Sequence, residues 1–291
     1  MTNNLVPIFR KLHAGPQPLC LANAWDAGSA RVIENLGASA IATTSAGVAW
    51  ALGYKDGNVL PIHALAALAV NIVRLIRVPL SVDFEAGYSD SPAVVGENIK
   101  RLLDAGVAGI NIEDGRDSPS LLASKIDQIK RSALAHGTDL FVNVRTDVYL
   151  QRLVNEDKRL EATIARGRHY QSAGADGFFV PALTEPGQIR TIIEEVHLPL
   201  NLMTWPGQLP ADELGKLGVR RLSAGSAIPQ VLWAHAEELA KQFLTLGQSD
   251  PLWSTSKPHN ELQALFTSVA ERRKSDGGCR DGVEPPSVEF Y

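Results

Sequence analysis

The segment PLSVDFEAGY, residues 79–88, places two carboxylates, Asp83 and Glu85, two residues apart at the end of an otherwise apolar run. Further acids end two other runs: Glu113-Asp114 closes GINIED, and Asp147 follows Arg145-Thr146 in LFVNVRTD. Side chains alternate along a strand, so Asp83 and Glu85 are expected on one side, where Glu113 of a neighbouring strand can join them. Three carboxylates in one place repel each other unless a cation neutralises them. Carboxylate and water ligands, with no His or Cys nearby, favour Mg²⁺ or Mn²⁺ over Zn²⁺. The competing reading pairs these acids with Arg145 or Lys125, or has them cap the following helices. Arg145 sits in an otherwise apolar strand; it either pairs with Asp147 or grips a substrate carboxylate or phosphoryl group with both arms of its fork. The surplus of acid around it favours the substrate. Thr44-Ser45-Ala46-Gly47 is a small-residue turn whose backbone N–H groups suit an anion. Asn201, in the run LPLNLM, is a further candidate for binding substrate.

These residues need elements that bring them to one rim. Eight short apolar runs alternate with longer amphipathic segments: 19–25, 38–45, 78–84, 109–114, 140–147, 177–182, 198–203 and 220–225. They are rich in Val and Ile and read as parallel strands covered on both faces. LGASA, AGVAG and AGADG each join a helix end, through a glycine, to the next strand. Repeated α–Gly–β joints of this kind predict an α/β chain closed as a (β/α)₈ TIM barrel over residues 1–247, whose active site lies at the C-terminal ends of the strands. No G-x-G-x-x-G follows the first run, which argues against a doubly wound dinucleotide fold. In SPAVVGENIKRLLDAG the pattern places Val94, Ile99, Leu102 and Leu103 on one helix face, with Ser91 as N-cap and Pro92 at the first helical position. Residues 248–291 read as an extension: a linker, an amphipathic helix over about 259–275 carrying Leu262, Leu265, Phe266 and Val269, and an aperiodic flexible tail.

Composition bounds the class. The chain has 291 residues, 45% of them hydrophobic, and a net charge of −4, which argues against a nucleic-acid partner. Two cysteines, Cys20 and Cys279, exclude a disulfide framework and a Cys-rich zinc site. No apolar run approaches the length of a membrane span, and the first residues lack a signal-peptide core, so a cytoplasmic protein with no membrane partner is expected.

Taken together, LANAWDAGSARVIENLGASAIATTSAGVAWALGYKDG, LSVDFEAGYSDSPAVVGENIKRLLDAGVAGINIEDG, VNVRTD and RGRHYQSAGADGFFVP resemble the isocitrate lyase / phosphoenolpyruvate mutase superfamily over about residues 5–245. The resemblance implies a Mg²⁺-dependent enzyme acting on small 2-oxo or 2-hydroxy acids at C–C or P–C bonds. It implies Asp83 as the direct metal ligand, Glu85 and Glu113 as ligands through water, and Asp56 as the acid that closes the metal site. It implies Thr44, Ser45 and Ala46 as the cradle of the substrate carboxylate and Arg145 as the clamp on its other anionic end. It also implies a homotetramer in which a helix over about 228–246 packs on a neighbour. The chain departs from the superfamily's lyases, which carry K-K-C-G-H on the loop after strand four; EDGRDSPSLLASKIDQIK has neither Cys nor His. The longer Lys/Asn-rich gate of the mutase is missing too, Pro181 stands where the mutase has a His, and Glu85 replaces the commoner Asp.

A 2-oxo acid would chelate Mg²⁺ through its carboxylate and keto oxygens, and the metal would stabilise the enolate left when a bond at C3 breaks. This serves C–C lysis, decarboxylation and P–C cleavage alike. Tyr88 and Asp56 are the candidates for proton transfer; Tyr88 is alternatively a packing aromatic. His63 and His136 read as surface residues, and Trp25 as pocket wall or core. The expected function is C–C cleavage of lyase or decarboxylase type, the alternatives being a phosphonopyruvate-type P–C hydrolase or mutase, or a 2-oxo-acid-binding relative without catalysis. In IPQVLWAHAEELAKQFLTLG, Val231, Leu232, Leu239, Phe243 and Leu246 are apolar and Trp233 lies on another side; the barrel is expected to cover one side and a second subunit the other.

Overall fold

The computed structural model describes residues 5–254 and 256–266. Each of the eight apolar runs contains a strand: β1 Leu19–Leu21, β2 Ile41–Ala42, β3 Leu80–Asp83, β4 Gly109–Glu113, β5 Phe141–Arg145, β6 Gly177–Phe179, β7 Leu200–Met203 and β8 Arg221–Ser223. All pair in parallel, in the order β1-β8-β7-β6-β5-β4-β3-β2. An Ala24–Thr43 bridge, with Thr44 N–H donating to Ala24 O at 3.0 Å, joins the chain beyond β1 to the chain beyond β2 and closes the ring. The architecture is the (β/α)₈ barrel that the strand spacing implies.

The helices are α1 Val6–Leu12, α2 Ala27–Asn35, α3 Ser45–Ala51, α4 Ile62–Leu75, α5 Pro92–Asp104, α6 Pro119–Ala135, α7 Arg159–Ser172, α8 Pro186–Val196, α9 Ala211–Leu217, α10 Ala227–Leu246, α11 Asp250–Trp253 and α12 His259–Leu265. The α–Gly–β joints take the expected form: Gly106 after α5 and Gly174 after α7 lie at φ +84° and +104°, a backbone region that side chains other than glycine's enter at a cost. In α5 the buried stripe is Val95, Ile99 and Leu102, at i, i+4 and i+7, whereas Val94 is exposed. The sequence pattern placed Val94 on that stripe; one residue is about 100° of helix rotation, and Val94 falls outside it.

Two apolar regions hold the barrel. One lies between the strands and the surrounding helices, where Val82, Ile110, Ile112, Val142 and Val144 meet Ile72, Ile99, Ile126 and Ile129. The other fills the lower interior, where Leu19, Leu21, Ala40, Ala42 and Phe141 meet Val6 and Phe9 of α1. Phe9 is wholly buried and stands edge-on to Phe141, with ring centroids 5.3 Å apart. Gly109 admits it: a Cβ there would lie 2.7 Å from the Phe9 ring. Burying one such ring contributes roughly 1.5–3 kcal/mol. Above this plug lies a buried polar layer of Asn111, Asn143, Asn201 and Arg221, and above that the mouth.

The C-terminal part departs from expectation in the setting of α10. The barrel does not cover one side of α10; of residues 227–246 only Pro229 is buried, and Val231, Leu232, Trp233, Phe243, Leu244 and Leu246 are all exposed. The helix leaves the rim immediately after β8, so its apolar residues extend beyond the reach of the barrel helices. α12 lies on α2, where Arg31 Nε donates to Leu265 O at 2.7 Å. Val269, Cys279, the rest of the helix expected to residue 275 and the expected flexible tail lie outside the described residues. No helix among the described residues is long and apolar enough to cross a membrane.

Candidate active site

Strand ends deliver the acids. β3 finishes at Asp83, whose backbone N–H donates to Thr43 Oγ1 at 2.8 Å, tying the ends of β2 and β3. α3 begins at Ser45, with Thr44 as N-cap, so the small-residue turn is the first turn of a helix aimed into the mouth. Ser45 N–H reaches Asp83 Oδ2 at 3.3 Å. Gly47 keeps this helix close to the connection that follows β1: a Cβ would stand 2.8 Å from Trp25 Cβ. Trp25 is half-buried against the barrel core and is not a wall of the site.

Thr44, Ser45, Ala46, Asp56, Asp83 and Arg145 line one cavity of about 220 Å³ at the C-terminal rim. Phe179, Met203 and Trp205 form its less polar wall, and Asn111, Ser223 and Gly225 its deeper part. Four of the residues singled out from the sequence, Glu85, Tyr88, Glu113 and Asn201, do not line it.

Each of these four has other partners. The strand alternation that would set Glu85 beside Asp83 ends with β3: Glu85 has φ +48° and Tyr88 +59°. The Glu85 carboxylate accepts from Gly57 N–H at 3.0 Å, from Asn58 N–H, and from the Tyr88 hydroxyl at 2.7 Å. Asn58 answers by accepting from Ala86 N–H at 3.0 Å and Tyr88 N–H at 3.3 Å. The loop carrying Asp56 is thereby latched to the turn after β3, and Tyr88 serves the latch. Glu113 lies 2.7 Å from Arg145 Nη1. Asn201 is buried below; its Oδ1 accepts from Ser223 Oγ at 3.1 Å, and its Nδ2 has no partner among the described residues.

Arg145 makes the Asp147 pair that was one of the two readings weighed for it, and it also faces the cavity. The fork onto Asp147 runs from Nε to Oδ1 at 2.6 Å and from Nη2 to Oδ2 at 3.0 Å. Asp114, the second acid of IED, is structural: its carboxylate accepts from Thr146 Oγ1, Tyr170 OH, Arg166 and Asp147 N–H, at 2.5 to 2.9 Å, and fastens the ends of β4 and β5 to α7. Lys125 is buried and donates to Ala86 O at 3.0 Å, so it braces the turn rather than neutralising the acids of the mouth. His63 and His136 are exposed, as expected.

The electrostatics follow from burial. Burial raises Asp83 above the usual carboxylate range, against the opposing pull of Arg145 and Ser45 N–H. Burial likewise raises Glu85, against the bonds from Tyr88 and Asn58. Glu113 is pushed up to about 8, again by burial, with Arg145 opposing. Arg145 would be lowered by burial, but the charges of Glu113 and Asp147 outweigh this and raise it. The Tyr88 hydroxyl is raised, first by burial and then by Glu85, so it stays protonated. Arg145 is the one cationic side chain among the described residues lining the cavity. Among the described residues no three His, Cys, Asp or Glu side chains gather closely enough to hold a metal ion by themselves. A cation here would need water for most of its ligands, the habit of Mg²⁺.

The sequence reasoning passed over Asn111, Phe179, Met203 and Trp205. Asn111 had a usable signal: in GINIED it alternates with Glu113 on the inward face of β4.

Comparison with known proteins places this barrel. The family model described as phosphoenolpyruvate phosphomutase matches residues 9–244. An uncharacterized protein of Mycobacterium tuberculosis is 37% identical over 268 residues, covering 91% of this chain and 98% of that protein. Oxaloacetate decarboxylase 1 of Pseudomonas fluorescens is 28% identical over 269 residues, covering 88% and 90%. The crystal structure of a putative phosphonomutase from Burkholderia cenocepacia superposes with a TM-score of 0.78 at 39% identity, over 82% of this chain and 100% of that one. With a barrel mouth that carries the acids and arginine of the motifs, and a family match over most of its length, the chain belongs to the phosphoenolpyruvate phosphomutase family, among the lyases and mutases of the isocitrate lyase / phosphoenolpyruvate mutase superfamily.

Proposed function

We propose that this enzyme breaks a carbon–carbon bond of a small 2-oxo or 2-hydroxy acid, as a lyase or decarboxylase, with Mg²⁺ or Mn²⁺ held at Asp83. The observation that carries the reading is the meeting of Asp83, Arg145 and the Ser45-Ala46 helix start in one cavity. The donor set fits a hard cation: the acids on the cavity wall, Asp83 and Asp56, offer oxygen only, beside a single guanidinium, and burial holds Asp83 above its usual range. Asp83 would hold the ion directly; Glu85 and Glu113, which lie off the cavity wall on their own partners, would reach it only through water. When bound, such a cation offers coordination positions to the carboxylate and keto oxygens of the acid and draws charge from its carbonyl.

The chain's own residues do the rest. The first turn of α3, Thr44 to Ala46, receives the substrate carboxylate on backbone N–H groups. Arg145, its plane fixed by the Asp147 fork, takes the other anionic end. Phe179, Met203 and Trp205 keep water from one side. Asp56, on the latched loop, is the group placed to move a proton, with Tyr88 acting through Glu85. Asn201 supports the site from beneath, through Ser223. Residues 1–247 form the catalytic barrel and 248–291 the extension. The uncovered apolar residues of α10 support a homo-oligomer, a tetramer built from dimers, with α10 in the interface.

The relative named for oxaloacetate decarboxylation supports C–C chemistry. The connection from β4 to α6, residues 114–118, is short and has neither Cys nor His, which turns the reading from a thiol-dependent lyase toward decarboxylation. The test is release of pyruvate or glyoxylate from a panel of 2-oxo and 2-hydroxy acids, with phosphonopyruvate as a separate arm, with and without Mg²⁺. Turnover of a carbon acid that EDTA abolishes is expected. Turnover of phosphonopyruvate alone would transfer the reading to P–C cleavage, and binding without turnover would make the protein a carrier of such acids.

A further inference from the structure

The deeper part of the cavity contains a polar side chain with no role in the mechanism above. Asn111 on β4 stands opposite Asp83 in the register of β3 and β4 and lines the cavity. Its Oδ1 accepts two hydrogen bonds, from Asn143 Nδ2 at 2.9 Å and from Arg221 Nη2 at 3.2 Å. A guanidinium has five donors and no acceptor, so the amide cannot turn over without setting N–H against N–H. Arg221 is wholly buried, and its Nε and Nη1 have no partner among the described residues; Asn111 Oδ1 is its one hydrogen-bond acceptor there. The amide is therefore locked with its oxygen down on the polar layer and its Nδ2 up. That Nδ2 donates to no atom of the described residues, and it is open to the cavity rather than sealed in the interior.

We propose that Asn111 Nδ2 donates a hydrogen bond to an oxygen of the bound acid, a carboxylate or keto oxygen lying beside Asp83, and that Arg221 and Asn143 are positioning residues that hold the amide in that sense. The inference rests on the small-acid reading of this cavity. It accounts for a buried guanidinium in the middle of a barrel: its work is to fix the polarity of one amide. It also predicts a direction of selectivity, because the donor rewards an acceptor oxygen and offers nothing to an apolar substituent at that point.

The test uses the full chain, Mg²⁺, and oxalate as an unreactive probe. Asn111→Asp keeps an acceptor for both Asn143 and Arg221, and gives Arg221 a carboxylate, so the fold is expected to hold and the melting midpoint not to fall. It removes the donor, and oxalate affinity by calorimetry is expected to drop about 10-fold or more. The new charge alone would also repel an anion, so a second measurement is made on the unaltered protein. With nitrogen-15 asparagine labelling, the side-chain amide signals absent from the N111D spectrum belong to Asn111, and they are expected to shift on saturation with oxalate. Equal affinities, or Asn111 signals unmoved at saturation, overturn the proposal. A loss of affinity accompanied by a lower melting midpoint also overturns it, because that pattern marks a structural residue. If the unaltered protein binds no oxalate, the small-acid reading itself fails, and this inference with it.

Discussion

Asp83 and Arg145 are opposite charges held by opposite means. Burial opposes the charge on Asp83, while two carboxylates hold the charge on Arg145. Asp83→Ala is expected to abolish Mg²⁺-dependent turnover, by about 10³-fold or more, with a melting midpoint unchanged or raised, because the fold loses a carboxylate it holds at a cost. Thermal melts and the assay on one preparation check both halves. Arg145→Lys keeps the charge but not the fork; a loss of about 10-fold or more in kcat/KM is expected, and equal kinetics would reduce Arg145 to charge balance. The sequence made Asp83, Arg145 and the Thr44–Ala46 turn legible, because each sits where a strand ends and strand ends share a rim. Glu85 was not legible in its present role. Its position depends on a left-handed backbone at one residue, and alternation carries no information past that point. Asn111 stayed hidden because an asparagine inside a strand is marked only by what it faces.

At the scale of elements, two small assemblies set what the site can do. The latch between the 55–58 loop and the turn 84–88 rests on Glu85 accepting from the backbone N–H groups of Gly57 and Asn58, and on Asn58 accepting from those of Ala86 and Tyr88. Asn58→Ala removes two acceptor bonds and leaves alanine at φ +59°. It is expected to lower kcat/KM by about 10-fold, through loss of the Asp56 position, with a modest loss of stability of about 1–2 kcal/mol. Steady-state kinetics and denaturant titration separate the two effects. The second assembly is the plug. His13, at the end of α1, donates Nδ1–H to Phe9 O at 2.8 Å and stacks on Phe141. Burial, and then the charge of Arg221, lowers its pKa from 6.5 to about 4. Below about 6.5 the unfolded chain takes up a proton that the folded chain refuses, so this contribution is whole above that pH and is lost as the pH falls toward 4, by up to about 3 kcal/mol. Melting midpoints followed from about pH 7.5 to 4.5 are expected to decline less steeply for His13→Phe than for the unaltered protein. Strands of two to five residues were readable because burial on both faces makes them continuous apolar runs. α1 was not read, since seven residues give a helix two turns and a stripe of only Val6 and Phe9.

For the whole molecule, the proposed assembly rests on α10. Leu244 is 84% exposed and Trp233 51%, and a monomer would keep them in water. Sedimentation at micromolar concentration is expected to find no stable monomer near 31 kDa, and Leu232→Glu with Phe243→Glu to produce one. The closed barrel was legible as a whole because eight repeats of one joint leave few other topologies. The path of the chain after β8 was not, because a helix that leaves its own barrel is apolar for reasons outside that barrel. The position of α1 bears on how the molecule is made. This helix is the first described element to emerge from the ribosome, yet its seat is built from Leu19 and Leu21 at one end of the barrel and from Gly109 and Phe141 of strands synthesised far later. The nascent chain must carry Phe9 unsheltered until β5 has been translated, a long wait for an apolar side chain that a holdase could shield. α1 is thus seated only once β5 exists, and the barrel is corked from below only after more than half its strands are made.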